Sequence, residues 1–264
     1  LNQKAQAEDD MAATDEDTVL MGASIFANDD DEIIDNFNLL TPSVVSTAGI
    51  VVTINADGTY IYDPSVVFDS LAEGEIASDS FDYQIEVLSP FDGSILEIQT
   101  ATITITGTND APIAVADVAA SLENDVLTVD VLANDTDVDL SDTHTLDAVT
   151  YIHPLQADLD QATADVSAGG LTLVELQNLA NLIGVLTAEI AASTATVNIV
   201  NNELVFDPGT DFDYLASGEI TDVTVLYDMS DNNGGTDNSS LTITITGTND
   251  APIAVAAVDE SVAE

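Results

Sequence analysis

Short runs of alternating hydrophobic and polar residues recur along most of the chain and predict β-strands. Residues 102–106 read TITIT and residues 81–87 read FDYQIEV, so apolar and polar side chains alternate in both runs. Residues 55–58 (NADG) and 201–202 (NN) lie between pairs of such runs and predict hairpin turns. Short strands separated by turns at this spacing predict an all-β fold of the sandwich type.

A repeated stretch of sequence indicates that the chain carries more than one copy of this pattern. Residues 102–116 (TITITGTNDAPIAVA) occur again without change at 242–256, and identity over such a length indicates a tandem array. The last residues begin another copy, so we expect a piece of a longer array. The predicted organisation is an N-terminal tail or linker end at 1–11, a first β-sandwich repeat at 12–110, a second at 111–250 and the start of a third at 251–264.

The second copy contains an additional segment in which the apolar residues follow a helical period. Between residues 173 and 190, leucine and isoleucine recur at steps of three or four, which predicts an amphipathic helix. Thr172 and Glu175 have the spacing of a capping box at its start. We therefore expect a helical hairpin at about 156–194, inserted in the second sandwich. The helix at 172–192 is expected to pack on that sandwich or on a neighbouring molecule.

The charge of the chain excludes some classes of partner. There are 49 acidic residues and one basic residue, giving a formal net charge of −48, whereas binding to nucleic acids or anionic membranes requires lysine and arginine. No apolar run reaches the roughly 18 residues of a membrane span. Because 45% of the residues are hydrophobic and lie in periodic strands, the acidity does not indicate disorder. Acidic clusters without basic partners instead need cations from solution.

The sequence shows no catalytic arrangement. His144 and His153 are the only histidines and cysteine is absent, so neither a zinc site nor a histidine base is expected. Serine is frequent, but the spacing of a nucleophile elbow is missing. Carboxylate pairs of the glycosidase type arise by coincidence in so acidic a chain. We therefore expect that the chain is not an enzyme.

Three phrases give the chain a family resemblance. Residues 107–117 (GTNDAPIAVAD), 131–139 (VLANDTDVD) and 68–75 (FDSLAEGE) resemble the cadherin-like and VCBS repeats of large RTX-type bacterial surface adhesins. The likeness covers both copies but not the helical segment, and the glycine-rich nonapeptide of RTX β-rolls is absent. The resemblance implies tandem Ig-like β-sandwiches, secretion to the cell surface and calcium at the domain junctions.

The acidic phrases are the candidate calcium ligands. Calcium takes six to eight oxygen ligands, which one short segment rarely supplies but a junction between repeats can. From the residues alone, a simple turn and a solvated loop remain the alternative. The identity of the two junctions, the lack of counter-charge and the resemblance favour calcium. The candidate ligands are Asn109, Asp110, Glu123, Asp135 and Asp137 at the first junction; Asn249, Asp250 and Glu260 at the second; and Asp15, Glu16, Asp29 and Asp31 at the start of the first repeat.

These features predict a structural or adhesive module, an extender or fibre segment stiffened by calcium. Its expected partners are calcium ions, neighbouring repeats, and other copies of itself or a cell-surface ligand, with no nucleic acid and no membrane insertion. Two alternatives remain open. The helix-bearing repeat is a sugar- or protein-binding domain, or the chain is the subunit of a self-assembling filament.

Overall fold

The computed structural model describes residues 7–29, 36–89 and 93–251, and these residues form two compact units. Unit 1 contains the described residues up to Pro112 together with two segments from later in the chain, Thr136–Thr143 and Asp231–Gly235. Unit 2 contains the remaining described residues from Ile113 onward. Each unit is built on two β-sheets.

The sheets of unit 1 are each four-stranded. The strands in its described part are β1 (Asp10–Asp15), β2 (Leu20–Gly22), β3 (Asn36–Leu39), β4 (Ser43–Val45), β5 (Val51–Ile54), β6 (Tyr60–Tyr62), β7 (Ile76–Ser89) and β8 (Gly93–Thr106). The sheet orders are β1-β8-β7-β3 and β2-β6-β5-β4. The edge strand β1 runs parallel to β8, whereas the other pairs are antiparallel.

The core of unit 1 lies between its two sheets. Tyr60 and Tyr62 of β6 are buried while Ile61 between them is exposed. Phe81 and Tyr83 of β7 join them from the other sheet, and the rings of Tyr60 and Phe81 lie 5.4 Å apart, edge to face. The alternation in the sequence therefore separates a buried face of each sheet from an exposed one.

Unit 2 repeats this arrangement with one strand fewer in its described part. Its strands are β9 (Asp117–Leu122), β10 (Leu127–Val129), β11 (Thr145–Ile152), β12 (Thr196–Val200), β13 (Glu203–Asp207), β14 (Ile220–Ser230) and β15 (Thr236–Thr246). The sheet orders are β11-β14-β15-β9 and β10-β13-β12, and the edge strand β9 again runs parallel to its neighbour, β15. Tyr151 of β11 and Phe206 of β13 connect the two sheets, with ring centroids 5.6 Å apart.

Equivalent side chains show that the two units are copies of one sandwich. The Tyr83 hydroxyl donates to Asp10 of β1 at 2.6 Å, and the Tyr227 hydroxyl donates to Asp117 of β9 at 3.1 Å. The predicted turns are also present, since Gly58 has a φ of 83° and residues 201–202 have φ values of 54° and 68°, the signs required by a type I′ turn at 201–202. The predicted fold class, sandwiches with a helical insert in the second, is confirmed.

The insert between β11 and β12 forms the two predicted helices, α1 (Gln156–Ala168) and α2 (Leu173–Ala191). Thr172 Oγ1 accepts a hydrogen bond from the Glu175 backbone N–H, and the Glu175 carboxylate accepts one from the Thr172 N–H at 2.8 Å. The predicted capping box is therefore present, and it satisfies two backbone donors at the start of α2 that would otherwise lack partners.

The insert packs little on its own sandwich, and its packing on a neighbouring molecule stays a prediction. The two helices contact mainly each other, and neither makes an extensive contact with a strand. Ala162 and Leu186 are their buried side chains, whereas Leu173 is 86% exposed. The apolar stripe is thus covered in part by the other helix.

The first strand begins earlier than expected. The sequence predicts an N-terminal tail or linker end at 1–11, but β1 starts at Asp10 and Ala7 is buried in the core of unit 1. The strand begins there because the backbone groups along the edge of β8 pair with β1 from Asp10 onward. Within the described residues, neither helix has the combination of length and hydrophobicity needed to cross a bilayer.

Candidate metal site

The parallel pairing of β1 with β8 brings Glu16 next to Thr108. Each residue follows its strand closely, and the register continues beyond the strands, with the Glu16 N–H donating to the Thr106 carbonyl at 3.1 Å. The Glu16 carboxylate accepts hydrogen bonds from the Thr108 N–H at 2.8 Å and the Leu71 N–H at 3.1 Å. Glu16 is fully buried, so backbone donors fix the position of this charge.

Gly107 allows the backbone of residues 71–72 to approach closely, so that the Leu71 N–H can donate to the Glu16 carboxylate. A Cβ atom at position 107 would lie 2.2 Å from the carbonyl oxygen of Ala72 and 2.3 Å from that of Leu71. Any other residue would push the Leu71 segment away from Glu16. The glycine of the GTND phrase is therefore required by packing.

Two aspartates complete a cluster with Glu16. One carboxylate oxygen from each of Glu16, Asp110 and Asp139 lies within 4.8 Å of the other two, and all three residues belong to unit 1. Asp139 is 1% exposed, and its Oδ2 accepts a hydrogen bond from the Asp110 N–H at 2.9 Å. Asp139 Oδ1 and Asp110 Oδ2 are buried without a hydrogen-bond partner in the described part of the chain.

The electrostatics of this cluster are unfavourable without a cation. Burial raises the pKa of Glu16, and the charges of Asp139 and Asp110 add to that effect against the opposing backbone hydrogen bonds. Burial and neighbouring acids likewise raise the pKa of Asp110 and of Asp139. An anionic, all-oxygen donor set of this kind suits Ca²⁺ or Mg²⁺, and the two unpartnered oxygens are atoms that a cation would satisfy. The residues therefore fit a hard divalent cation.

A second group of three acids, Asp137, Asp142 and Asp231, also offers oxygens within 4.8 Å of one another. Asp231 is 1% exposed, and its Oδ1 accepts hydrogen bonds from the backbone N–H groups of residues 233–235 at 2.7 to 3.1 Å. The Asn109 amide donates to its Oδ2 at 3.0 Å. Burial acts to raise the pKa of Asp231, but these hydrogen bonds hold it below its ordinary value. Asp231 therefore stays ionised and fixes the shape of its loop.

The structure brings together only part of each predicted ligand set. Asp110 and Glu16, which were expected at different sites, share the first cluster. Asp137 belongs to the second cluster, and Asn109 is bonded to that cluster through Asp231. The other predicted residues are Asp15, Asp29, Glu123, Asp135, Asn249 and Asp250, which belong to neither cluster, and Asp31 and Glu260, which lie outside the described residues.

Several of the residues outside the clusters still carry an unpartnered oxygen. Asp135 accepts a hydrogen bond from the Val115 N–H at 2.7 Å, and Asp29 accepts one from the Glu8 N–H at 3.0 Å. The second oxygen of each is buried without a partner among the described residues, as is Oδ1 of Asp15. Asn249 and Asp250 are exposed.

Glu123 lies beside Thr248 and not beside Asp110. It accepts hydrogen bonds from the Thr248 N–H at 2.6 Å and the Thr248 hydroxyl at 2.7 Å, which are the contacts that Glu16 makes with Thr108 in unit 1. The parallel pairing of β9 with β15 is the cause. Glu123 is therefore the counterpart of Glu16 at the end of the second repeat.

Three cluster members were not among the predicted ligands: Asp139, Asp142 and Asp231. Asp139 continues the alternation of Asp135 and Asp137 along the chain. This pattern is a sequence signal that could have placed Asp139 among the predicted ligands. Asp142 and Asp231 lie far apart in sequence, in loops with no pattern that relates one to the other. Only the fold of the chain brings them together.

Comparison with known sequences gives one family match, which covers the first repeat. Residues 2–106 match the family model described as Bacterial Ig domain. The first repeat is therefore similar to bacterial Ig domains. The match to the bacterial Ig domain includes Glu16 but ends before Asp110. Bacterial Ig domains are structural and adhesion modules, which agrees with the expectation that the chain is not an enzyme. No curated protein is significantly similar to this chain.

Several cadherin ectodomain structures are also similar to this chain. Drosophila N-cadherin EC1-4 is 12% identical with a TM-score of 0.43, over 92% of this chain and 50% of that one. Human mucin-like protocadherin EC1-2 is 12% identical with a TM-score of 0.45, over 93% and 100%. Mouse protocadherin-24 EC1-3 is 12% identical with a TM-score of 0.44, over 92% and 69%. The chain thus spans half the length of the N-cadherin fragment.

Proposed function

We propose that this chain is a calcium-stiffened structural or adhesive repeat module of a secreted bacterial surface protein. The observation that carries the proposal is the cluster of Glu16, Asp110 and Asp139, whose oxygens lie within 4.8 Å of one another. The described residues contain no lysine or arginine that could neutralise it. The similarity of residues 2–106 to bacterial Ig domains supports a structural or adhesive role at the cell surface or outside the cell.

The proposed role of calcium is electrostatic. Without the cation, three carboxylates repel one another in a buried setting. Their shared coordination of calcium would join the end of β1, the segment after β8 and the loop between β10 and β11. Because Asp139 is continuous in sequence with strands of unit 2, this coordination would restrain the chain where it passes from one repeat to the next. Neighbouring repeats and further copies are the partners that such a module would contact.

Calcium binding and its effect on stability test the proposal together. We expect a calorimetric titration of chelator-treated protein with CaCl₂ to show heat of binding. We also expect a higher melting temperature in calcium than in EDTA, because a ligand that binds only the folded state stabilises it. At a free calcium concentration of about 100 times Kd, the gain is about 2.7 kcal/mol. Small-angle scattering is expected to give a longer particle with calcium than with EDTA.

A sodium chloride titration at the same ionic strength is the matched control, because it separates specific coordination from general screening of the net charge, and a magnesium titration measures selectivity. A melting temperature and particle length that are equal in calcium and in EDTA would refute calcium stiffening. An equal response to sodium chloride and calcium chloride at one ionic strength would mean that the effect is charge screening, and an equal response to magnesium would mean that the site does not select calcium.

A further inference from the structure

A pocket of about 480 Å³ lies at the base of the helical insert, within unit 2. Tyr151 and His153 line it where β11 leads into α1, and Glu189 lines it near the end of α2. Asp211 and Tyr214 line it from the loop that follows β13. This volume falls in the range of sites that hold small molecules, and the insert supplies one of its walls.

The walls of the pocket are held by hydrogen bonds. Asp211 Oδ1 accepts from the Thr194 N–H at 2.6 Å and from the Thr194 hydroxyl at 3.0 Å, and its Oδ2 accepts from the Ser193 hydroxyl. On the opposite side, the Leu155 N–H donates to His153 Nδ1 at 3.1 Å. The C-terminal end of the insert is thus fixed to the sandwich through Asp211, and the turn that leads into α1 is held by its own local hydrogen bond, so the pocket is formed in advance of binding.

Two tyrosines that line the pocket are in unusual environments, one with an unpartnered hydroxyl and one largely exposed to solvent. The Tyr151 hydroxyl is buried and has no hydrogen-bond partner among the described residues, and burial raises the pKa of Tyr151 above its ordinary value, so it remains a donor. Tyr214 is 67% exposed. A buried hydroxyl without a partner is unfavourable, and because Tyr151 also lines the pocket, a ligand hydroxyl that reached it would supply the missing bond.

The first repeat provides an internal comparison for Tyr214. Residues 68–71 of the first repeat read FDSL, and residues 212–215 of the second read FDYL. Ser70 therefore occupies the position of Tyr214 in the repeat that lacks the helical insert. The exposed aromatic ring and the insert occur together in one repeat and are both absent from the other, which ties the ring to the pocket and not to the folding of the sandwich.

The charges around the pocket restrict the class of ligand. Carboxylates line it, and the whole chain has a single basic residue, so an anion would be repelled. The same carboxylates would attract an organic cation, but Asp211 already accepts three hydrogen bonds and Glu189 is exposed to solvent, so neither offers such a cation a buried, unshared charge. A cation also could not accept a hydrogen bond from the Tyr151 hydroxyl.

We infer that this pocket binds a neutral saccharide. A sugar presents hydroxyl groups that both donate and accept, which suits the Tyr151 hydroxyl and the Glu189 carboxylate at once. Its apolar ring face suits the exposed ring of Tyr214, since tyrosine provides apolar contact area with a polar end. The second repeat would then carry a recognition site that the first repeat lacks.

NMR titration of the ¹⁵N-labelled chain tests this inference. The probes are the methyl glycosides of glucose, galactose and mannose and N-acetylglucosamine, each to about 10 mM, which detects a Kd of the order of 1 mM. Tetramethylammonium and N-acetylneuraminic acid are the cationic and anionic controls. We expect at least one neutral sugar to shift the amide signals of the segments that line the pocket.

Three variants separate a binding role from a structural one. Tyr214→Ala is expected to weaken sugar binding at least about tenfold, and Tyr151→Phe to weaken it several-fold while keeping the ring. Leu173→Ala, at an exposed position at the other end of α2, is expected to leave binding unchanged. The inference is overturned if no neutral sugar binds, if only a charged control binds, or if both tyrosine variants bind the sugar as the unaltered chain does while giving the same well-dispersed spectrum.

Discussion

Replacing Asp139 by Asn removes one charge from the first acidic cluster and changes its shape little. The amide oxygen of Asn can still accept the hydrogen bond that the Asp110 N–H donates to Asp139 Oδ2 at 2.9 Å. What changes is the repulsion between position 139 and the carboxylates of Glu16 and Asp110. We therefore expect opposite effects on the calcium-free and calcium-bound protein.

The distances in the cluster set the size of these effects. Two unit charges 4.8 Å apart repel by about 0.9 kcal/mol in bulk water and about 3.5 kcal/mol at an effective dielectric constant of 20. Partial protonation already relieves some of this, because burial raises the pKa of Asp139. In EDTA we expect Asp139→Asn to raise the free energy of unfolding by about 1–3 kcal/mol. Each kcal/mol should raise the melting temperature by about 4–8 °C.

In calcium the same substitution removes a charged ligand, and affinity depends on the number of charged ligands. A tenfold weaker Kd reduces the stabilisation by calcium by about 1.4 kcal/mol. The assay is urea denaturation in EDTA and in calcium, with a calorimetric titration for Kd. Glu73→Gln, which removes an exposed charge from unit 1, is the control for net charge. A less stable variant in EDTA, or an unchanged Kd, would refute the reasoning.

Two further predictions concern other parts of the chain. Burial raises the pKa of Asp10 from 3.8 to about 6, despite the hydrogen bond from Tyr83. The folded state therefore binds this proton more tightly than the unfolded state does. In EDTA, unit 1 should consequently gain stability as the pH falls from 7 through 6 towards 4. Urea midpoints measured against pH should show this slope in Glu73→Gln but a flatter one in Asp10→Asn, and equal slopes would contradict the assignment. Deleting residues 156–192 should leave unit 2 folded, because neither helix makes an extensive contact with a strand; loss of amide dispersion in the NMR spectrum of the deletion protein would show that the insert belongs to the core.

The features that the sequence predicted well depend on residues close together in the chain. The alternation in β7 and β8 follows from the two-residue period of a strand with one buried face, and the capping box of Thr172 and Glu175 spans a single turn. The turn at 201–202 needs only residues that tolerate positive φ. The duplicated phrase at 102–116 and 242–256 predicted two copies of one sandwich, and both copies are present.

The choice of which carboxylates meet was decided by the tertiary structure. The sequence suggested that Asp110 lies with Glu123 and Asp135, but the parallel pairing of β1 with β8 places Glu16 at the end of the same repeat, where Asp110 and Asp139 join it. In a chain with 49 acidic residues, composition gives no means of choosing among them. The register of two strands distant in sequence makes that choice, because it fixes which side chains share a buried space.

The same reason applies to the pocket at the base of the insert. The sequence predicted the helices and their period but not the surface that would cover them, since the period of a helix says which face is apolar and not what lies opposite. Tyr151 and Tyr214 are 63 positions apart by their numbers (214 − 151), and no local pattern relates them. They meet at one pocket because β11 and the loop after β13 border the same edge of the core, an arrangement that exists only once the two sheets have packed.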